Sequence, residues 1–368
     1  MEFIPLASPD IREEDISAVV QVLRSGMLVQ AQHVQELEAN IAIFNSTKYA
    51  IAVSNGTATL HLALLTLGIG PGDEVIVPAL SYVATANVVE LVGATPVFVD
   101  VDIDTFNIDV TKVESNINAK TKAIIPVHEF GLACDIEAII SIAEKHKLFV
   151  IEDAACALGA QQNDKLVGSF GIFGSFSFHP RKAISSGEGG ILTTSNASFA
   201  SNVKIFRNHG VEMQDGKMEF VAAGFNYRMT DFQAALVNSQ LKRLSEIIIY
   251  KNELASIYLN EINHNGIKLP VIPEDRNHTW QTFHVILDNS IDRDKTIQDL
   301  RKIGVGTNYG AQCIPAQQYY YKKYGINSSD EFPNAWRAFQ SGLAIPLYEK
   351  LRKEQILHIA KILNKLNS

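Results

Sequence analysis

Lys182 is the side chain whose position in this 368-residue sequence is most indicative of chemistry. It follows an alternating run, SFSFH, that predicts a strand in which Ser177 points away from Phe176 and Phe178. A Pro turn separates this strand from Lys182, and a small, Gly-rich segment follows. A lysine on such a turn can reach back over a sheet edge, where its amine can form an imine with a carbonyl compound. The same pattern also fits a solvated loop lysine.

The segment SNGTATL, residues 54–60, predicts an anion-binding turn between a strand and a helix. Gly56 allows close approach of a phosphate, and the Thr57 hydroxyl can add a hydrogen bond to the free N–H groups of the helix start. No lysine follows as in a P-loop, and Pro71 in GIGPGD breaks a dinucleotide-binding pattern. An ordinary capped turn remains the alternative interpretation.

Asp153 closes the buried run LFVIED, at the strand end where open α/β sheets bind ligands. A carboxylate there can keep a pyridine nitrogen protonated, as pyridoxal 5'-phosphate (PLP) requires, or it can cap a following helix. A further polar pair, Asn226 and Arg228, lies between aromatic residues just before a long helical pattern. Its alternative interpretation is a helix start capped by Thr230 or Asp231.

The elements that must position these residues alternate between strand and helix. Short runs rich in Val and Ile are separated by helical stretches such as DIEAIISIAEKHK. The pattern predicts an α/β fold with a mainly parallel central sheet covered by helices on both faces. A first helix opens after Ser8-Pro9 and closes at Gly26, and its apolar face carries Ile16, Val19, Val20 and Leu23.

Helical periodicity from Thr230 to about Asn263 is too long for one globular helix, so a domain junction is expected near Ser245. We therefore predict a large domain over residues 1–245 and a smaller α+β C-terminal domain over residues 246–368.

Bulk properties exclude several classes of protein. The net charge of -8 argues against nucleic acid as a partner, and no signal peptide or membrane-spanning run is visible. Cys134, Cys156 and Cys313 lack metal-ligand spacing and cannot all pair, which favours a reducing cytoplasm.

The segments described above, in this order, resemble the DegT/DnrJ/EryC1/StrS family of sugar aminotransferases, which has the fold-type-I architecture of PLP transferases. The resemblance runs nearly end to end. It is carried by IPLASPDI, VLRSGML, VPALSYVATANVVELVGATPVFVDVD, PVHEFGLACDI, IEDAACALGA, SFSFHPRKAISSGEGG and LAIPLY.

This resemblance implies a set of cofactor contacts. They are Gly56, Thr57, Tyr82, Asp153, Cys156, Ser177, Lys182 and Asn226. Lys182 is then the catalytic lysine that forms the imine with PLP and carries the proton, and Asp153 is the partner of the pyridine nitrogen.

The remaining contacts follow in the same way. Gly56, Thr57 and Ser177 hold the phosphate, and Tyr82 stacks on the ring. Asn226 crosses from the second subunit, which implies a homodimer with shared active sites. Cys156 stands where relatives often carry Gln or His, so the 3-oxygen of PLP needs another donor.

The implied reaction moves an amino group from L-glutamate to a nucleotide-linked keto sugar. The opening SPDIREEDISAVVQVLRSGMLVQAQHVQELE is more similar to members that act at C4 of 4-keto-6-deoxyhexoses, for O-antigen or capsule synthesis. The segment TNYGAQCIPAQQYY departs from relatives with a histidine-bearing stretch. The alternatives are a 3-keto sugar or keto-cyclitol aminotransferase, a sugar 3-dehydratase (where histidine replaces the lysine), and a non-catalytic regulator.

Overall fold

The computed structural model describes residues 3–366. The α-helices are α1 (Glu13–Ser25), α2 (Gln32–Phe44), α3 (Gly56–Thr66), α4 (Ala84–Leu91), α5 (Ile136–His146), α6 (Ala197–Arg207), α7 (Asp231–Leu241), α8 (Leu244–Glu261), α9 (Arg293–Lys302), α10 (Gln318–Tyr324), α11 (Ser328–Glu331), α12 (Pro333–Ser341) and α13 (Lys353–Leu363). Short 3-10 helices cover Val110–Lys112, Glu114–Asn116, Glu129–Gly131 and Ile314–Ala316.

The strands are β1 (Tyr49–Val53), β2 (Glu74–Pro78), β3 (Leu80–Ser81), β4 (Thr95–Val99), β5 (Thr121–Ile124), β6 (Phe149–Asp153), β7 (Gln161–Gln162), β8 (Lys165–Leu166), β9 (Phe173–Ser177), β10 (Gly190–Thr194), β11 (Val211–Gln214), β12 (Lys217–Phe220), β13 (Ile267–Lys268), β14 (Phe283–Leu287), β15 (Gln312–Cys313) and β16 (Gly342–Ile345).

A seven-stranded sheet in the order β1-β10-β9-β6-β5-β2-β4 forms the centre of the molecule. The neighbouring strands from β9 to β4 pair in parallel, whereas β10 runs antiparallel to both β9 and β1. The prediction of a mainly parallel α/β sheet is therefore confirmed.

Helices cover both faces of this sheet. Along β1, Ile51 and Val53 belong to one buried apolar cluster, whereas Ala50 and Ala52 belong to another. Because successive side chains of a strand point to opposite faces, this alternation shows two separate cores, one on each face. Such double coverage explains why the strands read as continuous apolar runs.

A second, three-stranded antiparallel sheet, β13-β14-β16, lies in the C-terminal part of the chain. Its own buried cluster includes Tyr258, Trp280 and Phe283. Other C-terminal residues, among them Tyr320 and Phe332, pack into the core of the large sheet. The division into domains 1–245 and 246–368 stays a prediction.

The long helical pattern from Thr230 is two helices, α7 and α8, separated at Lys242 and Arg243. Arg243 donates from Nη1 to Asp15 Oδ1 (2.9 Å) and from Nη2 to Asp15 Oδ2 (2.6 Å). Since Asp15 is a buried residue of α1, this ion pair joins the first helix to the α7–α8 corner.

Helix α1 ends at Ser25, and Gly26 adopts the left-handed conformation that lets a helix close there. The expected start after Ser8-Pro9 falls a few residues later, at Glu13. Ile16 and Leu23 of the expected apolar face are exposed in the single chain. In the part of the chain that the structure describes, no helix combines the length and apolarity needed to cross a membrane.

Candidate active site

Four elements converge at one edge of the central sheet. The parallel strands β6 and β9 are adjacent and end at the same edge with Asp153 and Ser177; Asp153 is in register with Ser175, two residues before Ser177. The N-terminus of α3 and the turn that carries Lys182 also line the cavity at this edge, which has a volume of about 740 Å³. This is the edge at which open α/β sheets bind ligands.

Seven of the eight residues predicted at the cofactor line this single cavity. They are Gly56, Thr57, Tyr82, Asp153, Cys156, Ser177 and Lys182. Tyr82 is 66% exposed, so its ring is free to cover a ligand. Asn226 does not line the cavity; it is exposed and its backbone pairs with Asn208.

The start of α3 forms an anion-binding cradle. Asn55 caps the helix by accepting from the Ala58 N–H (2.8 Å), which leaves the N–H groups of Gly56 and Thr57 in the first turn without partners inside the helix. A Cβ on Gly56 would lie 2.9 Å from Ser177 Cβ, closer than real side chains approach. Glycine therefore keeps space open between the helix start and the Ser177 hydroxyl, as a bound phosphate requires.

Asp153 is buried at the end of β6. One carboxylate oxygen accepts from the Thr85 hydroxyl (2.8 Å), and the other accepts from the Ala155 N–H (3.3 Å). Burial raises the pKa of this carboxyl above its ordinary value, and both hydrogen bonds oppose that shift. No described helix begins between Asp153 and Ala197, so Asp153 is not a helix cap.

Lys182 lies in the turn after β9 and is half-buried. Its Nζ donates to the Cys156 sulfur at 3.0 Å. Burial raises the pKa of the Cys156 thiol, which therefore stays neutral at neutral pH and accepts from the lysine amine. The solvated-loop interpretation of Lys182 is wrong, because its amine points into the cavity beside Asp153.

The structure adds residues that sequence reasoning missed. Glu129 and His61 line the cavity from two different elements, as do Gln281 and Thr282 from the segment before β14. Gln312 also lines the cavity, because β15 pairs with β3 and thereby places Gln312 beside Ser81, which is far away in the sequence. A usable signal existed for Glu129, an acidic residue within the apolar segment PVHEFG. Gln281 and Gln312 had no such local signal.

These groups fit PLP on three counts. An open cradle at a helix N-terminus suits the phosphate, a buried carboxylate suits a protonated ring nitrogen, and the amine of a half-buried lysine lines the same cavity. Within the described residues no cluster of His, Cys, Asp or Glu could hold a metal ion.

The fold and the cavity together define a PLP-dependent transferase. A model of the DegT/DnrJ/EryC1/StrS aminotransferase family matches residues 9–364. The chain belongs to that family and is a PLP-dependent aminotransferase.

Named relatives extend over nearly the whole chain. The spore coat polysaccharide biosynthesis protein SpsC of Bacillus subtilis is 36% identical, over 96% of this chain and 94% of that protein. The UDP-4-amino-4-deoxy-L-arabinose–oxoglutarate aminotransferase of Shewanella sediminis is 38% identical, over 88% of this chain and 87% of that protein.

A solved structure shows the same fold. The putative sugar aminotransferase Spr1654 from Streptococcus pneumoniae, in its PMP form, superposes with a TM-score of 0.94 at 30% identity. The match covers 98% of this chain and 97% of the other. A PLP form of the same protein superposes with a TM-score of 0.93. Both the expected family and the expected cofactor are thereby confirmed.

Proposed function

We propose that this enzyme transfers an amino group from L-glutamate to a nucleotide-linked keto sugar, with a 4-keto-6-deoxyhexose as the preferred acceptor, for synthesis of a surface glycan such as O-antigen or capsule. The observation that carries this proposal is the convergence of Lys182, Asp153 and the Gly56 cradle on one cavity. The names of the two curated relatives support the class of product, since one concerns a coat polysaccharide and the other a 4-amino sugar nucleotide.

When bound, PLP supplies a carbonyl that accepts an amino group and a ring that withdraws electrons from it. We assign three tasks around the cofactor to the chain's own residues. Gly56, Thr57 and Ser177 bind the phosphate. Asp153 holds the proton of the ring nitrogen, and Tyr82 covers the ring.

Lys182 binds the carbonyl carbon through Nζ and, once displaced, moves the substrate proton as general acid and base. The Cys156 sulfur lies 3.0 Å from this nitrogen and can hold it in place between those two states. Because a thiol is a weak acceptor, this contact does not immobilise the amine.

An anionic substrate finds positive charge in the wall of this cavity. Arg181 lines the cavity, and its Nε has no hydrogen-bond partner among the described residues although it is buried. A guanidinium with a free donor suits the carboxylate of L-glutamate or a diphosphate. Gln281 and Gln312 add uncharged groups of the kind that bind sugar hydroxyls.

We further propose that the enzyme is a homodimer with shared active sites and works in the cytoplasm, where its three free cysteines stay reduced. Exposed apolar side chains support the dimer. They include Met27, Leu28 and Val29 after α1, and Met213, Met218 and Phe220 on the β11–β12 hairpin. Large exposed apolar surfaces of this kind mark protein interfaces.

The test combines a spectrum with a substrate panel. Purified enzyme loaded with PLP should lose its visible absorption band when L-glutamate is added and recover it with a nucleotide-linked 4-keto-6-deoxyhexose. Nucleotide-linked 3-keto sugars and keto-inositols form the comparison arm. Faster recovery with either of those compounds would overturn the 4-keto assignment, and an unchanged spectrum with L-glutamate would overturn the amino donor.

A further inference from the structure

His61 is a side chain of the cavity for which the function proposed above has no task. It lies in the middle of α3, the helix whose N-terminus forms the phosphate cradle. The segment 225–228 passes beside it and carries Asn226, which we assign to the cofactor phosphate of the second subunit. A single side chain therefore lies between the cavity of its own chain and the segment that serves the other one.

Backbone hydrogen bonds hold this segment in an extended conformation. The Phe225 N–H donates to the Phe206 carbonyl (2.7 Å). The Tyr227 N–H donates to the Arg207 carbonyl (3.0 Å), so both bonds join the segment to the end of α6. On its other side, the Tyr227 carbonyl accepts from the N–H of Ser54, just before the phosphate cradle (2.8 Å). These bonds fix the backbone but not the side chains.

The side chains of the segment point alternately to two sides. The rings of Phe225 and Tyr227 stack on each other, with centroids 4.9 Å apart and 15° between their planes. Because residues two apart in an extended chain share a face, Asn226 between them points to the opposite face, where it is exposed. Whatever holds the two rings therefore also sets the direction of Asn226.

His61 contacts both rings. Its imidazole meets Phe225 edge-on with centroids 5.1 Å apart, and its centroid lies 6.0 Å from that of Tyr227. His61 Nδ1 lies 3.2 Å from the Tyr227 hydroxyl, the one hydrogen-bonding partner of this side chain among the described residues. Burial lowers the pKa of His61 and raises the pKa of Tyr227, so the hydrogen bond joins two neutral groups.

These contacts use most of the surface of His61. The residue is only 7% exposed although it lines the cavity. A second histidine of the cavity, His179, is different: it is exposed and accepts from the N–H of Arg181 in its own turn (3.3 Å). A histidine with little free surface and one ring nitrogen bound to Tyr227 is suited to holding a segment rather than a ligand.

We propose that His61 is a positioning residue that holds Phe225 and Tyr227 so that Asn226 is directed toward the cofactor phosphate of the second subunit. This statement rests on the shared active sites of the dimer proposed above. His61 then acts on the partner's site although it lines the cavity of its own chain. Helix α3 consequently serves two sites, because its first turn binds one phosphate and its middle supports the segment that contacts the other.

The first measurement is amide hydrogen exchange of the full-length enzyme without PLP, so that the cofactor cannot hold the segment. His61→Ala should make peptides covering residues 224–228 exchange roughly tenfold faster, because an aromatic contact and a hydrogen bond are lost. Tyr227→Phe removes only the hydroxyl and should give a smaller increase in the same peptides. His179→Ala is the matched control, a histidine of the same cavity with no described contact to the segment, and should leave the exchange unchanged.

The second measurement is the affinity for PLP. His61→Ala should raise the dissociation constant in the same direction as Asn226→Ala, which loses a hydrogen bond to a charged group and should bind roughly tenfold more weakly or worse. The effect of His61→Ala should be the smaller of the two, since Asn226 is still present. Equilibrium titration of the cofactor-free dimer measures both constants without turnover.

Mixed dimers decide which site His61 serves. At a PLP concentration below the raised dissociation constant, the His61→Ala and Lys182→Ala homodimers should both be poorly active. In a mixed dimer, the site with an intact Lys182 receives Asn226 from the chain with an intact His61, so activity should recover, up to about a quarter of the wild-type sites. Ser177→Ala is the matched control, because Ser177 binds the phosphate in its own chain. Its mixture with Lys182→Ala should not recover.

Unchanged exchange of the segment in His61→Ala would overturn the positioning role. If the mixture of Asn226→Ala with Lys182→Ala recovers but that of His61→Ala with Lys182→Ala does not, His61 serves its own site and this inference alone fails. If neither mixture recovers, the shared active sites of the proposed function fail and this inference fails with them. Should His61→Ala not fold, Tyr227→Phe, which lacks a single oxygen atom, takes its place in every measurement.

Discussion

At the residue scale, the active site is a small group of ionisable side chains in a shielded environment. Lys182 contributes the positive charge, Asp153 the negative charge, and Cys156 and Glu129 remain neutral because burial raises the pKa of each. The Lys182 ammonium and the His128 imidazolium are nearby cations that offset the buried charge of Asp153. Each group thus depends on its neighbours, and a substitution at one alters the proton affinity of the rest.

Replacing the lysine tests its proposed role directly. Lys182→Ala should bind PLP through the phosphate cradle but lose transamination by roughly a hundredfold or more, the usual contribution of a general acid–base group. Single-turnover reaction with L-glutamate is the measurement. Lys165→Ala, at an exposed lysine outside the cavity, is the control and should react normally. Retention of about a tenth of the wild-type rate would exclude Lys182 as the proton carrier.

The raised pKa of Glu129 also predicts a pH dependence of stability. Between its ordinary pKa of 4.5 and its folded value of about 8, the folded chain holds a proton that the unfolded chain has lost. Stability contributed by this group therefore falls as pH rises through that window. Glu129→Gln lacks the effect, so its free energy of unfolding relative to wild type should rise from about pH 5 to about pH 8. Urea unfolding curves at several pH values measure this, and a constant difference would contradict it.

At the element scale, the start of α3 is placed by two contacts that leave its end open. Asn55 caps the helix, and Gly190 of β10 has no room for a side chain, because a Cβ there would lie 2.5 Å from the Asn55 carbonyl carbon. The helix N-terminus is therefore pressed against the sheet while its first N–H groups face the cavity. An anion bound there interacts with both the N–H groups and the helix dipole.

Gly56→Ala should weaken PLP binding, because its Cβ would lie 2.9 Å from Ser177 Cβ. Overpacking of this kind costs about 1–3 kcal/mol. If the bound state bears that cost, the dissociation constant of PLP rises roughly five- to 150-fold. Equilibrium binding to the cofactor-free enzyme is the measurement.

The matched control is Gly70→Ala, where a Cβ would meet a carbonyl oxygen at 3.5 Å, an ordinary contact, outside the cavity. It should leave PLP affinity unchanged. Thermal unfolding without PLP separates a lost binding site from a lost fold. Unaltered affinity in Gly56→Ala would mean that the phosphate does not approach this turn.

At the scale of the whole molecule, the position of Asn226 and the exposed apolar side chains both concern the proposed dimer. Asn226 lies outside the cavity of its own chain, near the residues that precede α7. Our proposal that it serves the phosphate of a second subunit explains why a residue of this motif is exposed. In the proposed dimer, the second subunit also provides a surface that can cover the exposed apolar side chains after α1 and on the β11–β12 hairpin.

Mixing two inactive variants tests this arrangement. Lys182→Ala and Asn226→Ala should each lose activity alone, whereas a refolded mixture should recover up to about a quarter of the wild-type sites. In a mixed dimer, one site carries both substitutions and the other carries neither. The recovered rate is measured with saturating L-glutamate. An active monomer in sedimentation, or no recovery in mixed dimers, would contradict the shared site.

The class of fold and the residues at the centre of the cavity can be predicted from the sequence alone. Strand and helix periods are local properties, so the runs ending at Asp153 and Ser177 were recognisable as strands, and the carboxyl ends of parallel strands meet at one edge. The Asn55-Gly56 turn was recognisable for the same reason. These sequence patterns lie within a few residues of the side chains whose positions they predict.

Features that depend on pairing between distant segments are visible only in the folded chain. Gln312 reaches the cavity only because β15 pairs with β3, and Arg243 breaks the long helical pattern where it binds Asp15 of α1. Asp153 accepts from Thr85 of α4, and the raised pKa of Glu129 follows from its burial and from the nearby Asp153. No local pattern encodes those quantities, because each depends on which residues the fold brings together.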